Sequence, residues 1–202
     1  MQDRARDRGK EPETAELAAR MAIHEVLAVH CRGVDRADER ALKSAYWPDA
    51  EVAYGGFEGL AHEFCEMLPK SIVRFAHTQH SISNVLIEFF DGARAKTADL
   101  EGAQTETSWA AVETYVTAYH YLGGENGAPD TEMTFLGRYL DRFERRGSVW
   151  KINHRRVLMD WNQNADSSAV LEGPPFDGLA RGTRYPSDPV YALLRSTEDR
   201  AR

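Results

Sequence analysis

Gly137-Arg-Tyr-Leu-Asp-Arg-Phe-Glu-Arg-Arg146, then Gly147-Ser148, then Val149-Trp-Lys-Ile-Asn-His-Arg-Arg156 is the stretch that decides how this chain is put together. Tyr139, Leu140, Phe143 and Trp150 are interleaved with charged residues on either side of an Arg146-Gly147 turn signal. That is the pattern of two half-buried antiparallel strands joined by a short connection. Working outward, strand-like runs cover 79–90, 109–122, 132–145 and 149–162, separated by Asp91-Gly92, by Gly123-Gly124-Glu-Asn-Gly127 and by Arg146-Gly147. Consecutive strands with such separators predict an antiparallel meander.

The N-terminal half has a different period. Leu17, Met21, His24, Leu27, Ala28 and Cys31 recur at helical spacing, which predicts a helix from about Thr14 to Asp35 with those residues as its buried face. A second helix is expected over about 38–46, stopped by Pro48, followed by a short strand Ala50-Glu-Val-Ala-Tyr54 and a Gly55-Gly56 turn. A third helix is expected with Leu60, Phe64, Met67, Leu68, Ile72 and Phe75 on its apolar face and Pro69 as a kink. Helices followed by a run of strands is an α+β order, with the helices gathered on one face of a curved antiparallel sheet. Residues 1–12 read as a charged leader, 13–165 as one domain, and 166–202 as a C-terminal arm with a helical turn or two.

Composition narrows the function classes. A net charge of −7 argues against nucleic-acid binding, which needs clustered Lys and Arg to neutralise phosphate. No run approaches the roughly 20 apolar residues of a membrane span, and a cytoplasmic location is the expectation. Cys31 and Cys65, both within amphipathic helical patterns, are expected to be buried free thiols.

These segments together resemble the SnoaL-like branch of the nuclear transport factor 2-like superfamily, which includes scytalone dehydratase and hexachlorocyclohexane dehydrochlorinase. The resemblance spans about residues 15–163. It is carried by Gly33-Val-Asp35, Tyr46-Trp-Pro-Asp-Ala-Glu51, Thr78-Gln-His80 with Asn84, Gly137 to Glu144, and Gly147 to Arg156. It implies a cone-shaped α+β barrel, a curved sheet wrapped around helices with a deep apolar pocket, and a cofactor-independent lyase. It implies Asp35 and His80 as a catalytic dyad, Tyr54 as a tyrosine on the substrate carbonyl, and Arg155 as a pocket arginine. His120 lies in the right strand for a second pocket histidine, in a register the resemblance leaves open.

The residue chemistry is compatible with that implication. An imidazole held by a carboxylate is a competent base near neutral pH, able to remove a proton beside a carbonyl and return it to a departing hydroxyl. Strand alternation puts Ile82, Asn84 and Leu86 on the face of His80, making Asn84 a polar pocket residue; Asn84, His120 and Tyr119 are the expected substrate contacts. Arg155 and Arg156 must face opposite ways.

Plainer readings stand beside these. Asp35 is also suited to capping the next helix, and His80 to being a core histidine satisfied by a backbone carbonyl. His77, His80 and Asp35 have the composition of a metal triad, but a separation of three on a strand sets the histidines on opposite faces. Neither metal nor cofactor is expected. The expected partners are a small hydrophobic carbonyl compound and further copies of the chain as dimer or trimer. Double-bond isomerisation and dehalogenation use the same groups, and the rival from another class is a non-catalytic module like the small subunit of ring-hydroxylating dioxygenases.

Overall fold

The computed structural model of the protein describes residues 11–90 and 108–200; the expected 1–12 leader (save Glu11 and Pro12) and the Asp91-Gly92 turn lie outside the described residues. Helix α1 spans Thr14–Asp35, as the periodicity predicts, but its buried stripe is Ile23, Leu27, His30, Cys31 and Val34. Of the expected stripe Leu27 and Cys31 are buried, whereas Leu17, Met21, His24 and Ala28 are exposed. The buried face is set instead by Ile23, Leu27 and Val34, with His30 at its centre.

Helix α2 spans Glu39–Ala45 and packs tightly on the end of α1, because a Cβ on Gly33 would sit 2.9 Å from the Leu42 side chain. Its N-cap is Asp38, whose Oδ1 accepts the Ala41 N–H at 2.9 Å, so the capping role considered for Asp35 belongs to Asp38. The helix ends at Ala45, before Pro48. That proline instead lies in strand β1 (Tyr46–Tyr54), in the irregular stretch between the paired residues Tyr46 and Glu51. Gly55, with φ of 60°, turns the chain into strand β2 (Phe57–Leu60), which alternation had not revealed. Helix α3 (Ala61–Ile72) contains Pro69 and buries Phe64, Cys65, Leu68 and Ile72.

Strands β3 (His77–Phe90), β4 (Ser108–Leu122), β5 (Thr131–Arg146) and β6 (Val149–Asp166) form the expected meander. The sheet order is β2-β1-β6-β5-β4-β3. The pairing of β1 with β6 is parallel, a departure from the all-antiparallel sheet expected from the sequence. One sheet face packs against the helices through Val52, Ile87, Ala110, Val112, Phe143, Trp150 and Ile152, meeting Ile23, Leu27, Leu42, Phe64 and Cys65. Each large aliphatic or aromatic side chain removed from water there contributes roughly 1.5–3 kcal/mol. Both cysteines are buried free thiols, and burial pushes each pKa up to about 12.

The C-terminal arm ends in helix α4 (Pro189–Arg200), longer than the turn or two expected. No described helix is long and apolar enough to cross a membrane.

Candidate active site

Two elements remote in sequence meet at one carboxylate. Asp35 is the last residue of α1, and its side chain turns onto the start of β3. There Oδ1 lies 2.7 Å from His80 Nδ1, and Oδ2 accepts the His80 backbone N–H at 3.0 Å. Both residues are only 8% exposed. An ionised carboxylate only accepts hydrogen bonds, so against it Nδ1 is the donor, and in the neutral imidazole the lone pair then lies on Nε2. The paired contacts fix the imidazole plane as well as its tautomer.

His80 faces inward because β3 begins with a regular alternation in which Thr78 and His80 are buried while His77 and Gln79 are exposed. The His77–His80 pairing considered for a metal is therefore split between the two faces. On neighbouring β4, His120 lies opposite Thr78 and faces the same side as His80, with ring centroids 5.6 Å apart in an edge-on arrangement. Phe75 covers His120 at 4.6 Å. Burial, helped by the nearby His80, lowers the His120 pKa to about 4, so this imidazole is neutral at neutral pH. Its buried Nδ1 has no hydrogen-bond partner.

Further along the same face, Cys31, Val116 and Tyr139 form a small buried cluster against which the half-buried Tyr54, Ile82, Phe135 and Val157 pack. Tyr54 stacks on Phe64 at 5.1 Å, and burial raises its pKa, keeping the hydroxyl protonated. The apolar wall thus begins at Ile82, two residues from His80 on its own strand.

Three expected site residues differ from the sequence reading. Asn84 has left the face of His80: it is exposed, has φ of 47°, and sits where the β3–β4 register shifts between Ser83 and Leu86. The bulge inverts the alternation beyond it, so Leu86 also faces out and Ile87 faces in. Tyr119, 50% exposed, lies on the outer face of the sheet, as its place next to inward-facing Ala118 requires. Arg155 does point inward while Arg156 is exposed, but it is wholly buried and paired with Asp141 through two contacts of 2.7 Å.

That pair is part of a polar group inside the core which the sequence did not reveal. Arg155 lies over the Tyr139 ring at 4.0 Å, and His30 stands edge-on to both Tyr46 and Tyr139. The Tyr46 hydroxyl is 3.3 Å from His30 Nδ1. Burial opposes the Arg155 charge, yet the Asp141 carboxylate, aided by Tyr46 and Tyr139, raises its pKa well above the usual value. Burial and the Arg155 charge together lower the pKa of His30 well below the usual 6.5. His30 Nε2, the Tyr139 hydroxyl and Arg155 Nη1 are buried without partners. An open trough of about 630 Å³ lies elsewhere, lined mainly by outward residues such as Glu88, Glu113, Arg142, His154 and Arg156. None of the candidate site residues lines it.

The sequence profile of the SnoaL-like domain matches residues 15–156. Among solved structures, a hexachlorocyclohexane dehydrochlorinase (LinA) of type 2 superposes with a TM-score of 0.60 at 21% identity, covering 80% of this chain and 97% of that one. The type 3 enzyme from Novosphingobium barchaimii gives 0.58 at 23% identity, covering 80% and 98%. A proposed scytalone dehydratase from Novosphingobium aromaticivorans gives 0.55 at 22%, covering 83% and 98%. No curated protein matches the chain. At these identities the structural likeness speaks to the fold, a cone of curved sheet and helices.

Proposed function

Because this chain belongs to the SnoaL-like family of the nuclear transport factor 2-like superfamily, we propose that it is a cofactor-independent lyase acting by proton transfer on a hydrophobic carbonyl compound. The observation that carries this reading is the buried contact of 2.7 Å between His80 Nδ1 and Asp35 Oδ1. A core histidine satisfied by a backbone carbonyl would have no need of a carboxylate brought from a different element.

His80 Nε2 takes a proton from the carbon beside the substrate carbonyl, and the resulting imidazolium is stabilised by Asp35. Negative charge develops on the carbonyl oxygen, where the neutral Tyr54 hydroxyl is a donor whose raised pKa keeps its proton in place. The imidazolium then returns the proton to a hydroxyl departing from the adjacent carbon, leaving a conjugated double bond and water. Returning it to a different carbon instead gives a double-bond isomerisation with the same groups. His120, neutral and beside His80, offers a hydrogen bond to substrate without a charge that would oppose the imidazolium. Arg155 contributes through Nη1 alone, since its other charge-bearing contacts are taken by Asp141. The half-buried Tyr54, Ile82, Phe135 and Val157 supply an apolar wall for a cyclic or polyketide-like skeleton.

The test is a mass-spectrometric screen of cyclic hydroxy-ketones for loss of water, comparing wild type with His80→Ala and Asp35→Asn. General-base catalysis predicts a loss of about 10²- to 10⁴-fold in kcat for His80→Ala with the fold retained. Unaltered turnover in that variant removes His80 from the mechanism and the reading with it.

A further inference from the structure

The C-terminal arm reaches back to the backbone on which the dyad is mounted. Arg184 Nη1 donates to the Asp35 carbonyl oxygen and, at 2.8 Å, to Thr78 Oγ1, while Nη2 donates to the Phe75 carbonyl oxygen at 2.8 Å. One planar guanidinium therefore bridges the last residue of α1 and the segment that leads into β3. Those are the two pieces of chain whose separation sets the Asp35–His80 contact. Thr78 is also the inward-facing residue immediately preceding His80 on that face.

The arm is held at this point by other contacts. The Tyr185 N–H donates to the Arg36 carbonyl at 2.7 Å, Arg36 Nε pairs with Asp188 at 3.1 Å, and the Tyr191 hydroxyl donates to Asp38 at 2.8 Å. Asp35 needs what Arg184 supplies. Its carbonyl is one of those a helix leaves unbonded at its C-terminus, and its carboxylate sits at the negative end of the helix dipole. A fork of N–H donors carrying a positive charge answers both, which a lysine ammonium cannot do with the same geometry.

We infer that Arg184 is a positioning residue for the Asp35–His80 pair, locking the end of α1 to the entry of β3 so that carboxylate and imidazole stay in register. Its consequence for turnover rests on the lyase reading; its consequence for the dyad does not.

The experiment follows solvent exchange of the His80 Nδ1 proton by NMR in the full-length, isotope-labelled protein. Arg184→Gln is expected to speed exchange about tenfold or more, since hydrogen bonds to charged groups are individually worth that much. Arg184→Lys, which keeps the charge without the fork, falls between and carries the test should Arg184→Gln fail to fold. Arg181→Gln removes a contact within the arm, to the Leu171 carbonyl, that touches neither α1 nor β3, and is expected to leave the exchange rate unchanged. Unchanged exchange in folded Arg184 variants overturns the assignment, as does equally fast exchange in Arg181→Gln. With a substrate in hand, Arg184→Gln lowers kcat and leaves KM within about twofold, the sign of a lost transition-state interaction. If His80→Ala retains full turnover, the lyase reading fails while the exchange result on Arg184 still stands.

Discussion

Replacing Asp141 with alanine strands a guanidinium in the core, and its cost follows from the geometry around Arg155. Both side chains of the pair have no solvent exposure, and they share two contacts of 2.7 Å. Breaking such a pair from one side leaves an uncompensated buried charge and costs about 3–5 kcal/mol. For a chain of this length each kcal/mol lowers the melting temperature by roughly 2–4 °C, so Asp141→Ala is expected to melt about 6–20 °C below wild type. Removing both charges behaves differently. In Arg155→Met combined with Asp141→Leu no charge is left to solvate, and stability returns to within about 1 kcal/mol of wild type or rises above it. Urea denaturation at neutral pH, followed by circular dichroism on wild type, Arg155→Met, Asp141→Leu and the double, completes a cycle whose coupling energy is the quantity sought, with Asp141→Ala measured beside it. The reasoning is refuted if Asp141→Ala costs under about 1 kcal/mol, or if the double variant is as unstable as the singles. The first result means that the Arg155 charge is satisfied without Asp141; the second means that the packing of the two side chains, and not their charges, carries the stability.

Two further outcomes are expected from the same core. His120 titrates at about 4 when folded, against 6.5 for an ordinary histidine. Between those values the unfolded chain binds a proton that the folded chain refuses. Stability is therefore fully present above pH 6.5 and declines as the pH falls towards 4, by about 1–2 kcal/mol for His120 because it keeps some contact with solvent. His30 adds to the decline in the same direction. Melting curves across this range should show a shallower slope in His120→Asn than in wild type; equal slopes would exclude the assignment. Gly33→Ala places a methyl group 2.9 Å from the Leu42 side chain and 3.0 Å from its backbone nitrogen. Overpacking of this kind costs about 1–3 kcal/mol, read directly from thermal denaturation.

How far the sequence reveals this molecule depends on the range of the interaction concerned. The meander was legible because turn chemistry and alternation are local, and Arg146-Gly147 joins β5 to β6 where it was expected to. The parallel seating of β1 on β6 was not, since nothing in Tyr46–Tyr54 specifies a partner a hundred residues away. Asp141 shows the limit more closely. A straight continuation of the Phe143–Ile152 pairing would set it opposite His154. The register shift between Arg142 and Phe143 makes room for an additional residue, Asn153, and brings Arg155 across instead. Asp141 shares a face with Tyr139 and Phe143; what alternation withheld was its partner, because counting on from Trp150 and Ile152 turns His154 inward and Arg155 outward. Asn84 misled in the same way, because a left-handed residue reverses the parity on which the assignment to the His80 face relied. His80, Asp35 and Tyr54 were accessible through their resemblance to a known arrangement. Arg184 was not, because two of its three acceptors are backbone carbonyls, which carry no mark in a sequence.

The place of β1 between β2 and β6 also bears on the order in which the molecule is made. A nascent chain that has emerged only as far as Arg146 already has α1, α3 and β3 to β5 available to collapse, and the partners Asp35 and His80 with them. One edge of β1 nevertheless stays open until β6 leaves the ribosome, since among the described residues its other neighbour is the short β2. Closure of the sheet is thereby tied to the appearance of β6, and chains stalled before it expose an unpaired strand edge of the kind that promotes aggregation.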